Sequence, residues 1–560
     1  KGYEIAWEQL KIPYEIKTAV YSISGKDKSL KMRESSDVIE FNGNSFSIAF
    51  DKKTGLLSSI KNQGKEIIKQ GPAAILYRAP TDNDEMWWSE SSTAVHWRKL
   101  GLNNLKTDVK EIKTSRNKSG FYEVKVKLKL YSDSVANIAD NNIIYNIMSN
   151  GDVFVQSGFE FFITPSDLAG LALARIGMQM ILPPAFENFK YFGCGPWENY
   201  RDRNISSKLG EYSSTVTAQY FPYSRPQSTG NKTNVRWASL TDNEGIGIAV
   251  FGSPVIEATA LHYSDKDLDK KSIKDVVKRD EVYFTIDYQQ NGLGGASCGP
   301  DVRPEYRMNL NNSNYQFHIS LINKAKDPSA LIFESPFAVA PVVTPDSHEL
   351  IRNEMIQLHS NVKNAIIRYT LDGTEPVEKS MLYKGPFIAD RNYTVKAKVF
   401  EPGKLPSQSI THYYKTFDLL YALKSVKYGD KAVYAEIPLS GIKTLGIRVT
   451  DPDSSTDWDH ADILEPRLVK KDGTEIRLSE LSPLKSIQGW GSLSKDKSVE
   501  GNALRAGKEN FSFGLGTHSE AEIWYNIPED CTMLKTSFGC DDETHGSGSS
   551  QMGFKVIGAK

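Results

Sequence analysis

The chain has 560 residues, which is too long for a single hydrophobic core, so about two to five domains are expected. Hydrophobic residues make up 39%, charged residues 24% and aromatic residues 11%, a composition that excludes a disordered protein and favours β-structure. The net charge of −1 offers no electrostatic attraction for nucleic acids or anionic membranes, and no apolar run reaches the roughly 18 residues of a spanning helix.

The predicted elements are strands almost throughout. A strand is predicted around residues 7–10, at the start of a sequence that shows no signal peptide and that we expect to continue from a longer polypeptide. The charged residues 26–36 read as a linker. Residues 46–50, 123–128 and 394–399 alternate at period two, and 41 glycines and 25 prolines separate such runs. This pattern predicts an all-β fold built from sandwiches or barrels.

Further connectors divide the chain into predicted domains. Residues 324–328 and the proline-spaced residues 336–345 are typical of a linker. The predicted domains are residues 1–35, 36–325, 339–415 and 417–560.

The cysteines predict no disulfide framework. Cys194, Cys298, Cys531 and Cys540 are few and scattered, and their spacing suits no zinc site. Cys531 and Cys540 could bridge two neighbouring strands, but free thiols are the favoured interpretation.

The second predicted domain carries loops rich in carboxylates, amides, arginine and tryptophan. Such groups suit sugars, because planar polar partners grip vicinal hydroxyls and an aromatic face packs on a pyranose ring. The alternative is that Asp and Asn cap turns and that Arg pairs with a neighbouring carboxylate. The loops are residues 77–84, 97–102, 191–203, 226–231 and 292–300.

Three of these loops contain sequence motifs that resemble those of a known enzyme family. The runs Arg-Ala-Pro-x-Asp-Asn-Asp, Gly-x-Gly-Pro-x-Glu-Asn-Tyr-x-Asp-Arg and Gly-x-Gly-Gly resemble the C-terminal region of β-galactosidases of glycoside hydrolase family 2, in the same order. Residues 37–323 are similar to the small-chain domain of that family, a β-supersandwich of the galactose mutarotase type. Residues 6–10 resemble the last strand of an immunoglobulin-like linker domain. The resemblance implies carbohydrate contacts from Asp82, Asn83, Asp84, Trp197, Glu198, Asn199, Arg203, Ser297 and Cys298.

The same resemblance argues against catalysis by this chain alone. Retaining glycoside hydrolysis needs two carboxylates about 5–5.5 Å apart, and in this family both are glutamates on a barrel whose motifs are absent from this sequence. The family counterpart of Glu198 is not catalytic, so we predict no catalytic residue and no cofactor. In the best-known members a tryptophan follows the Gly-x-Gly-Gly glycines. Here Cys298 or its neighbours stand there, which predicts a different aglycone or a more open subsite. Cys298 itself is interpreted as an inert small residue rather than a reactive thiol.

The third domain resembles the small immunoglobulin-like module of chitobiase-type enzymes, over residues 339–415. Asp372-Gly373 is a hairpin-turn signal that needs no ligand to explain it. We interpret this module as a spacer.

The last domain resembles the type of carbohydrate-binding module known as the novel putative carbohydrate-binding module (NPCBM). The runs at residues 489–491, 514–518 and 538–542 carry this resemblance, but the family's final motifs come first here, at residues 445–451 and 459–462. A circular permutation explains the order, and it requires residues 554–556 to close the sheet beside a strand near residues 419–423. The binding candidates are Trp458, Asp459, His460, Trp490, Thr517, His518, Asp541 and Asp542.

Two interpretations of the acidic residues in this domain remain open. Asp459, Asp462, Asp541 and Asp542 offer oxygen ligands for calcium, although turn-satisfying side chains are the favoured interpretation and no metal ligand is assigned. His460 and His518 are read as structural.

The functional hypotheses also remain open. The favoured one is the non-catalytic part of a β-galactosidase-type exo-glycosidase, with a β-galactoside-containing oligo- or polysaccharide and the absent catalytic barrel as partners. The alternatives are a stand-alone carbohydrate-binding protein and a mutarotase-like enzyme, for which His96 or His262 would have to act as general acid. Appended sugar-binding modules favour a periplasmic or secreted location.

Overall fold

The computed structural model describes the chain apart from residues 1–6, 11, 13–18, 22–28, 86–91, 118–119, 164–167, 169–171, 309, 311–312, 332, 335, 346, 348, 364, 403, 453–457 and 545–549. The described residues are mainly antiparallel strands, which confirms the all-β prediction. No helix in this described portion has both the length and the apolar character needed to cross a bilayer.

The first body is a large sandwich, which we call the supersandwich. Its helices are α1 (Asp82–Glu85), α2 (Thr93–Lys99) and α3 (Asp265–Leu268). Its strands, with β19 from the following connector, are β1 (Ala19–Val20), β2 (Lys31–Glu34), β3 (Val38–Asn42), β4 (Phe46–Asp51), β5 (Leu57–Asn62), β6 (Lys65–Ile68), β7 (Gln70–Ile75), β8 (Lys106–Arg116), β9 (Tyr122–Tyr131), β10 (Ala139–Ile147), β11 (Val153–Phe161), β12 (Arg175–Leu182), β13 (Asn188–Gly195), β14 (Lys208–Thr215), β15 (Lys232–Thr241), β16 (Gly247–Leu261), β17 (Val282–Gln290), β18 (Ser313–Ile322) and β19 (Phe333–Glu334).

Two sheets form this sandwich. The larger has twelve strands, with β14-β13-β15-β16-β18-β11-β10-β9-β8 as its main path, and the smaller runs β2-β3-β4-β5-β6. Phe41 and Phe50 of the smaller sheet contact Tyr122 and Tyr145 of the larger, with ring centroids 5.2 and 5.0 Å apart. The period-two alternation of β9 explains its placement, since Val124 and its like-facing neighbours are buried while the intervening lysines are not.

The start of the chain differs from the prediction. Ala6 lies outside the described residues, and residues 7–10 form no strand; Gln9 instead bonds the edge strand β14 through its side-chain amide, which exchanges two hydrogen bonds with Leu209. The predicted linker at residues 26–36 contains β2, and Leu30 is buried in the supersandwich core. Backbone pairing between β2 and β3 draws this segment into the sandwich despite its charged side chains.

The second body is a small module with its own core, which includes Ile356, Val395 and Tyr414. Its strands are β20 (Val342–Thr344), β21 (Glu349–Ile351), β22 (Met355–His359), β23 (Ile366–Thr370), β24 (Met381–Leu382), β25 (Phe387–Ile388), β26 (Tyr393–Phe400) and β27 (Ile410–Lys427). Gly373 has φ of 78°, in agreement with the predicted turn.

The third body is a sandwich that follows on from β27. Its further strands are β28 (Val433–Pro438), β29 (Thr444–Thr450), β30 (His460–Lys470), β31 (Glu475–Arg477), β32 (Lys485–Ile487), β33 (Ser494–Lys495), β34 (Arg505–Ala506), β35 (Glu509–Asn510), β36 (Gly514–His518), β37 (Ala521–Asn526), β38 (Cys531–Cys540) and β39 (Gln551–Ala559). One sheet contains β27-β39-β29-β37-β32 and the other β28-β38-β30-β36-β33, around a shared core that includes Ile447 and Phe538.

The closing strand of this sandwich lies where the permutation hypothesis requires it. β39 pairs with β27, with Phe554 opposite Leu423, and with β29, with Val556 opposite Ile447. Residues 445–451 and 552–557 therefore share one sheet, and the predicted pairing is confirmed. The permutation itself, like the domain boundaries, stays a prediction.

The module and the last sandwich are joined by packing as well as by the chain. β27 belongs to the sheets of both bodies, and Phe417 within it contacts Trp524 with ring centroids 4.6 Å apart. Arg448 of the sandwich pairs with Glu349 of the module at 2.9 Å. The predicted spacer is therefore held firmly against its neighbour.

All four cysteines are free, as predicted. Cys531 and Cys540 are the two ends of the single strand β38, which places them too far apart to be bridged.

Candidate functional site

Loops that follow β7, β13 and β17 meet at a cavity of about 360 Å³ on the supersandwich. These are the loops that contain the three motifs singled out in the sequence. The cavity brings together these predicted residues: Asp82, Asn83, Glu198, Asn199, Arg203 and Ser297.

A buried ion pair fixes the first of these loops. The side chains of Arg78 and Asp84 are 0% and 4% exposed, and Arg78 Nη2 donates to Asp84 Oδ1 at 2.9 Å. Thr81 donates from its backbone N–H and its hydroxyl to Asp84 Oδ2, both at 2.9 Å. Asp84 does not line the cavity, which corrects its predicted substrate contact: its carboxylate is enclosed by the groups that it anchors.

The glycine-rich loop is held by side chains from the other two loops. Asn83 donates to Gly294 O at 3.0 Å and accepts from the backbone N–H of Ser297 at 3.0 Å. Asp202 accepts from the N–H groups of Leu293 and Gly294 at 3.0 and 2.7 Å. The Asn83 amide is thereby committed to positioning the loop.

Glu198 is an anchored carboxylate rather than an available acid. Its Oε2 accepts from Thr229 Oγ1 and from the N–H of Gly230, both at 2.7 Å, and its Oε1 accepts from the Tyr223 hydroxyl. Burial, together with the adjacent Glu198, raises the pKa of Tyr223, so the tyrosine stays a donor. Three donors therefore hold this carboxylate in place between the loops.

Asn199 connects the cavity to a buried polar network. Its side chain accepts from Thr233 N at 2.9 Å and donates to Cys194 O at 2.9 Å, so both ends are satisfied. Asn231 donates to Asn199 O at 3.0 Å and to Glu257 Oε2 at 2.9 Å. Burial raises the pKa of Glu257 to about 7. The backbone beside Glu198 therefore depends on a carboxyl group that titrates near neutrality.

Asp82 has a partly exposed carboxylate at the cavity. Its side chain is 48% exposed, whereas its Oδ1 is itself buried and accepts no hydrogen bond from the described residues. Arg225 Nε lies 3.8 Å from that oxygen. The backbone N–H of Asp82 donates to Gln227 Oε1 at 3.1 Å, which fixes the residue while leaving its carboxylate for a ligand hydroxyl.

Other predicted contact residues lie elsewhere. Trp197 is 79% exposed and does not line the cavity, and Cys298 is exposed beside it without lining it. The residues next to them in the chain, Glu198 and Ser297, do line the cavity. Arg203 lines the cavity but is exposed and donates to Gly294 O.

The predicted residues of the last sandwich gather at the ends of β30, β36 and β38. Trp458 and Trp490 are half-exposed beside the buried rings of His460 and His518. Asp459, Thr517 and Asp541 are buried, and Asp542 accepts from two backbone N–H groups of the β34–β35 turn.

The calcium hypothesis stays a prediction. Asp462 is fully buried, and burial, with Asp541 next to it, raises its pKa well above the usual range. Burial also raises the pKa of the Asp541 carboxyl group. Among the residues that the structure describes, no three His, Cys, Asp or Glu side chains are grouped to hold a metal.

The histidines proposed for mutarotase chemistry lie away from the cavity. His262 Nε2 bonds Glu187 Oε2 at 2.7 Å and its Nδ1 bonds Glu281 O at 3.0 Å. His96 lies on α2, and neither residue lines the cavity.

Sequence reasoning missed several residues that shape these sites. Tyr223, Glu257 and Glu543 lie outside the motif runs: Glu257 is on β16, Tyr223 is in the loop between β14 and β15, and Glu543 directly follows the run at residues 538–542. Asp202 and Asn231 lie inside the motif runs at residues 191–203 and 226–231. The frequent carboxylate and amide side chains of those runs are the sequence signal that could have identified them.

Comparison with known families agrees with this organisation. Residues 42–321, half of the chain, match the family described as Beta galactosidase small chain. Residues 356–414 match the family described as Fn3 associated, and residues 474–560 match the NPCBM/NEW2 domain.

Curated relatives are similar over the same region. A beta-galactosidase of Priestia megaterium is 30% identical over 314 residues, which are 56% of this chain and 29% of the relative. A beta-galactosidase of Staphylococcus xylosus is 28% identical over 50% of this chain and 27% of its own length. The chain thus spans less than a third of the length of these relatives.

Solved structures give weaker likenesses. A galactose 1-epimerase of Lactobacillus acidophilus is 8% identical with a TM-score of 0.29, covering 52% of this chain and 98% of its own. An aldose epimerase homologue from C. elegans is 9% identical with a TM-score of 0.30, covering 52% and 99%. On the match of residues 42–321, this chain belongs to the beta galactosidase small chain family.

Proposed function

We propose that this chain is the non-catalytic, C-terminal part of a β-galactosidase-type retaining exo-glycosidase, and that its cavity completes the rim of the sugar-binding site. The observation that carries this proposal is the convergence of three motif loops on one cavity that is lined by a partly exposed carboxylate, Asp82. The relatives named beta-galactosidase share the region that contains these loops.

We assign different roles to the carboxylates at the cavity and to the catalytic pair. A retaining hydrolase needs one carboxylate as nucleophile and another as acid and base. Glu198 is held by three donors, so we assign it to loop positioning and assign Asp82 to accepting a sugar hydroxyl. The catalytic pair would be supplied by a barrel on the same polypeptide, with a β-galactoside-containing oligo- or polysaccharide as substrate. The appended modules support a periplasmic or secreted location.

Ligand-observed NMR on the whole chain tests this assignment with methyl β-D-galactoside, because saturation transfer detects weak binding. We expect saturation transfer in the wild type and a clear loss in Asp82→Asn. The matched control is Asp133→Asn, which changes an exposed aspartate on the same body and should bind as the wild type does. Equal signals in the two variants would remove the basis for the role of Asp82.

A mutarotase-like activity is the second candidate for this fold. That chemistry needs a histidine acid facing a carboxylate base, and no histidine lines the cavity among its described residues. Polarimetry of freshly dissolved α-galactose should therefore show no acceleration by the chain. A glycan array tests the third candidate, a self-sufficient carbohydrate-binding protein.

A further inference from the structure

A second cavity lies between the supersandwich and the small module. Its volume of about 490 Å³ exceeds the volume of about 360 Å³ of the cavity at Asp82. The supersandwich lines it with strands β16, β17 and β18, and the module lines it with residues 339–343, Gln408 and the start of β27. We call this cavity the module cleft. Ligand sites commonly have volumes of roughly 300–1,000 Å³ and occur preferentially where two domains meet.

Several contacts around the module cleft hold the two bodies together. Gln408 Nε2 donates to Asn142 O of β10 at 3.3 Å, and Gln316 Nε2 of β18 donates to Ala338 O at 3.3 Å. Phe337, which directly precedes Ala338, packs on Phe154 of β11 with ring centroids 5.7 Å apart. The cleft is therefore bounded by two bodies that are in direct contact, and its walls are formed by the fold itself.

Gly158 on β11 leaves room for this approach of the module. A side chain at this position would place its Cβ 2.6 Å from Gln408 Nε2 and still closer to Asn314 Oδ1. Gln408 and Asn314 both line the module cleft. The missing side chain thus lets two amides from different bodies meet at one end of the interface.

The walls of the module cleft combine an aromatic ring with aliphatic side chains. Tyr288 of the supersandwich is 41% exposed, and Val339 and Val342 on the opposite side are 47% and 58% exposed. The buried ring of Tyr315 supports Tyr288, with ring centroids 5.9 Å apart. Accessible apolar groups that line one cavity are typical of a binding surface.

The polar part of the lining is uncharged. Asn314, Gln316 and Gln408 contribute side-chain amides, and among the residues that the structure describes no Asp, Glu, Lys or Arg side chain lines the cleft. Gln408 is 5% exposed, and its buried Oε1 accepts no hydrogen bond from those residues. An amide both donates and accepts hydrogen bonds, as a hydroxyl group does. An uncharged polar ligand therefore suits the cleft better than an ion, which would lack a countercharge there.

We propose that the module cleft binds a short neutral oligosaccharide, at a site separate from the cavity at Asp82. The carbon-bound hydrogens of pyranose rings would pack on Tyr288 and the valines, and the hydroxyls would exchange hydrogen bonds with the lining amides. A purely apolar ligand is disfavoured, because it would cover the amides without satisfying them. The proposal gives the module, which the sequence predicts to be a spacer, a part in ligand binding.

Methyl NMR of the whole chain, labelled with ¹³C at its valine methyl groups, tests the proposal. Val255, Val339 and Val342 line the module cleft, so shifts of their resonances localise a ligand to this site. The probes are cellotriose, xylotriose, mannotriose and β-1,4-galactotriose. At least one should shift these resonances saturably, with a dissociation constant below about 10 mM. Trigalacturonate, which carries carboxylates, should not shift them. A tetraproline peptide is titrated in parallel, because proline-rich peptides also dock in aromatic grooves.

Substitutions on both sides of the cleft test the residues that carry the proposal. Tyr288→Ala and Gln408→Leu should each weaken oligosaccharide binding by about tenfold or more. The matched control is Tyr434→Ala, which removes an exposed tyrosine on the last sandwich and should bind as the wild type does. Thermal unfolding identifies a variant that fails to fold. Val342→Asp, at an exposed position, then serves as a second test, because it places a charge among the apolar groups of the cleft.

One further variant separates the module cleft from the proposed function. Asp82→Asn should leave the shifts of the cleft valines unchanged, whatever its effect on binding at the other cavity. The proposal would be overturned if no neutral trisaccharide shifts these resonances saturably, or if folded Tyr288→Ala and Gln408→Leu keep wild-type affinity. Shifts produced by the tetraproline peptide or by trigalacturonate, and by none of the neutral trisaccharides, would also overturn it.

Discussion

Replacing Asp84 with alanine tests whether the buried ion pair with Arg78 holds the first cavity loop. The change removes the anionic partner of a guanidinium that is 0% exposed, and among the described residues the carbonyls of Asn291 and Gly292 remain as its hydrogen-bond acceptors. Breaking a buried ion pair by removing one partner typically costs about 3–5 kcal/mol, and we expect the free energy of unfolding of the supersandwich to fall by that amount.

Urea denaturation followed by tryptophan fluorescence measures this effect. Trp97 is buried and lies 5.8 Å from the Arg78 guanidinium, so its emission reports on the region that the mutation disturbs. Asp133→Ala removes an exposed carboxylate and should leave the midpoint unchanged. Asp82→Ala should lower it far less than Asp84→Ala does, because the Asp82 side chain is 48% exposed and its contact with Arg225 Nε is 3.8 Å long. A loss below about 1 kcal/mol in Asp84→Ala would refute the reasoning, since it would mean that the pair is solvated.

Three other predictions concern the network, the loop and the junction. The pKa of Glu257 is raised from 4.5 to about 7 in the folded protein, so the stability it contributes is complete below pH 4.5 and is lost as the pH rises through 7. The loss amounts to roughly 3 kcal/mol. Glu257→Gln should make the stability depend less on pH, which urea midpoints measured from pH 5 to pH 8 would show. Asn83→Ala should speed hydrogen exchange of the Ser297 N–H and weaken sugar binding at the cavity, and unchanged exchange by NMR would contradict the loop-holding role. Phe417→Ala removes a buried ring that packs on Trp524 and should lower the free energy of unfolding by about 3–5 kcal/mol, measured by thermal or urea unfolding. It should also expose the junction between the module and the last sandwich to proteolysis. A junction as resistant to proteolysis as in the wild type would argue against coupling of the two bodies.

Local sequence signals were sufficient for the strands and the cavity loops. Period-two alternation identified β4, β9 and β26, because one face of each strand is buried and the other is solvated. The order of motifs also predicted that Phe554 would lie opposite the strand near Leu423, and the register agrees. Charged residues concealed β2, since an edge strand can be held by backbone pairing without an apolar face.

The roles of individual site residues depended on burial and register, which a sequence does not show. Asp82 and Asp84 are two positions apart in one motif, yet one is open to the cavity and the other is enclosed with Arg78. Glu257 and Glu543 reach their sites from strands and turns remote in sequence, so no local pattern marked them. Long-range contacts of this kind are set by packing of whole sheets rather than by neighbouring residues.

The central claim is that this chain contributes to a sugar-binding site without supplying the catalytic carboxylates. The most direct measurement is the hydrolysis of 4-nitrophenyl β-D-galactopyranoside by the purified 560-residue chain. We expect no release of nitrophenol above the uncatalysed rate. Sustained turnover that copurifies with the chain and is lost in Asp82→Asn would contradict it, because the cavity would then contain its own catalytic pair.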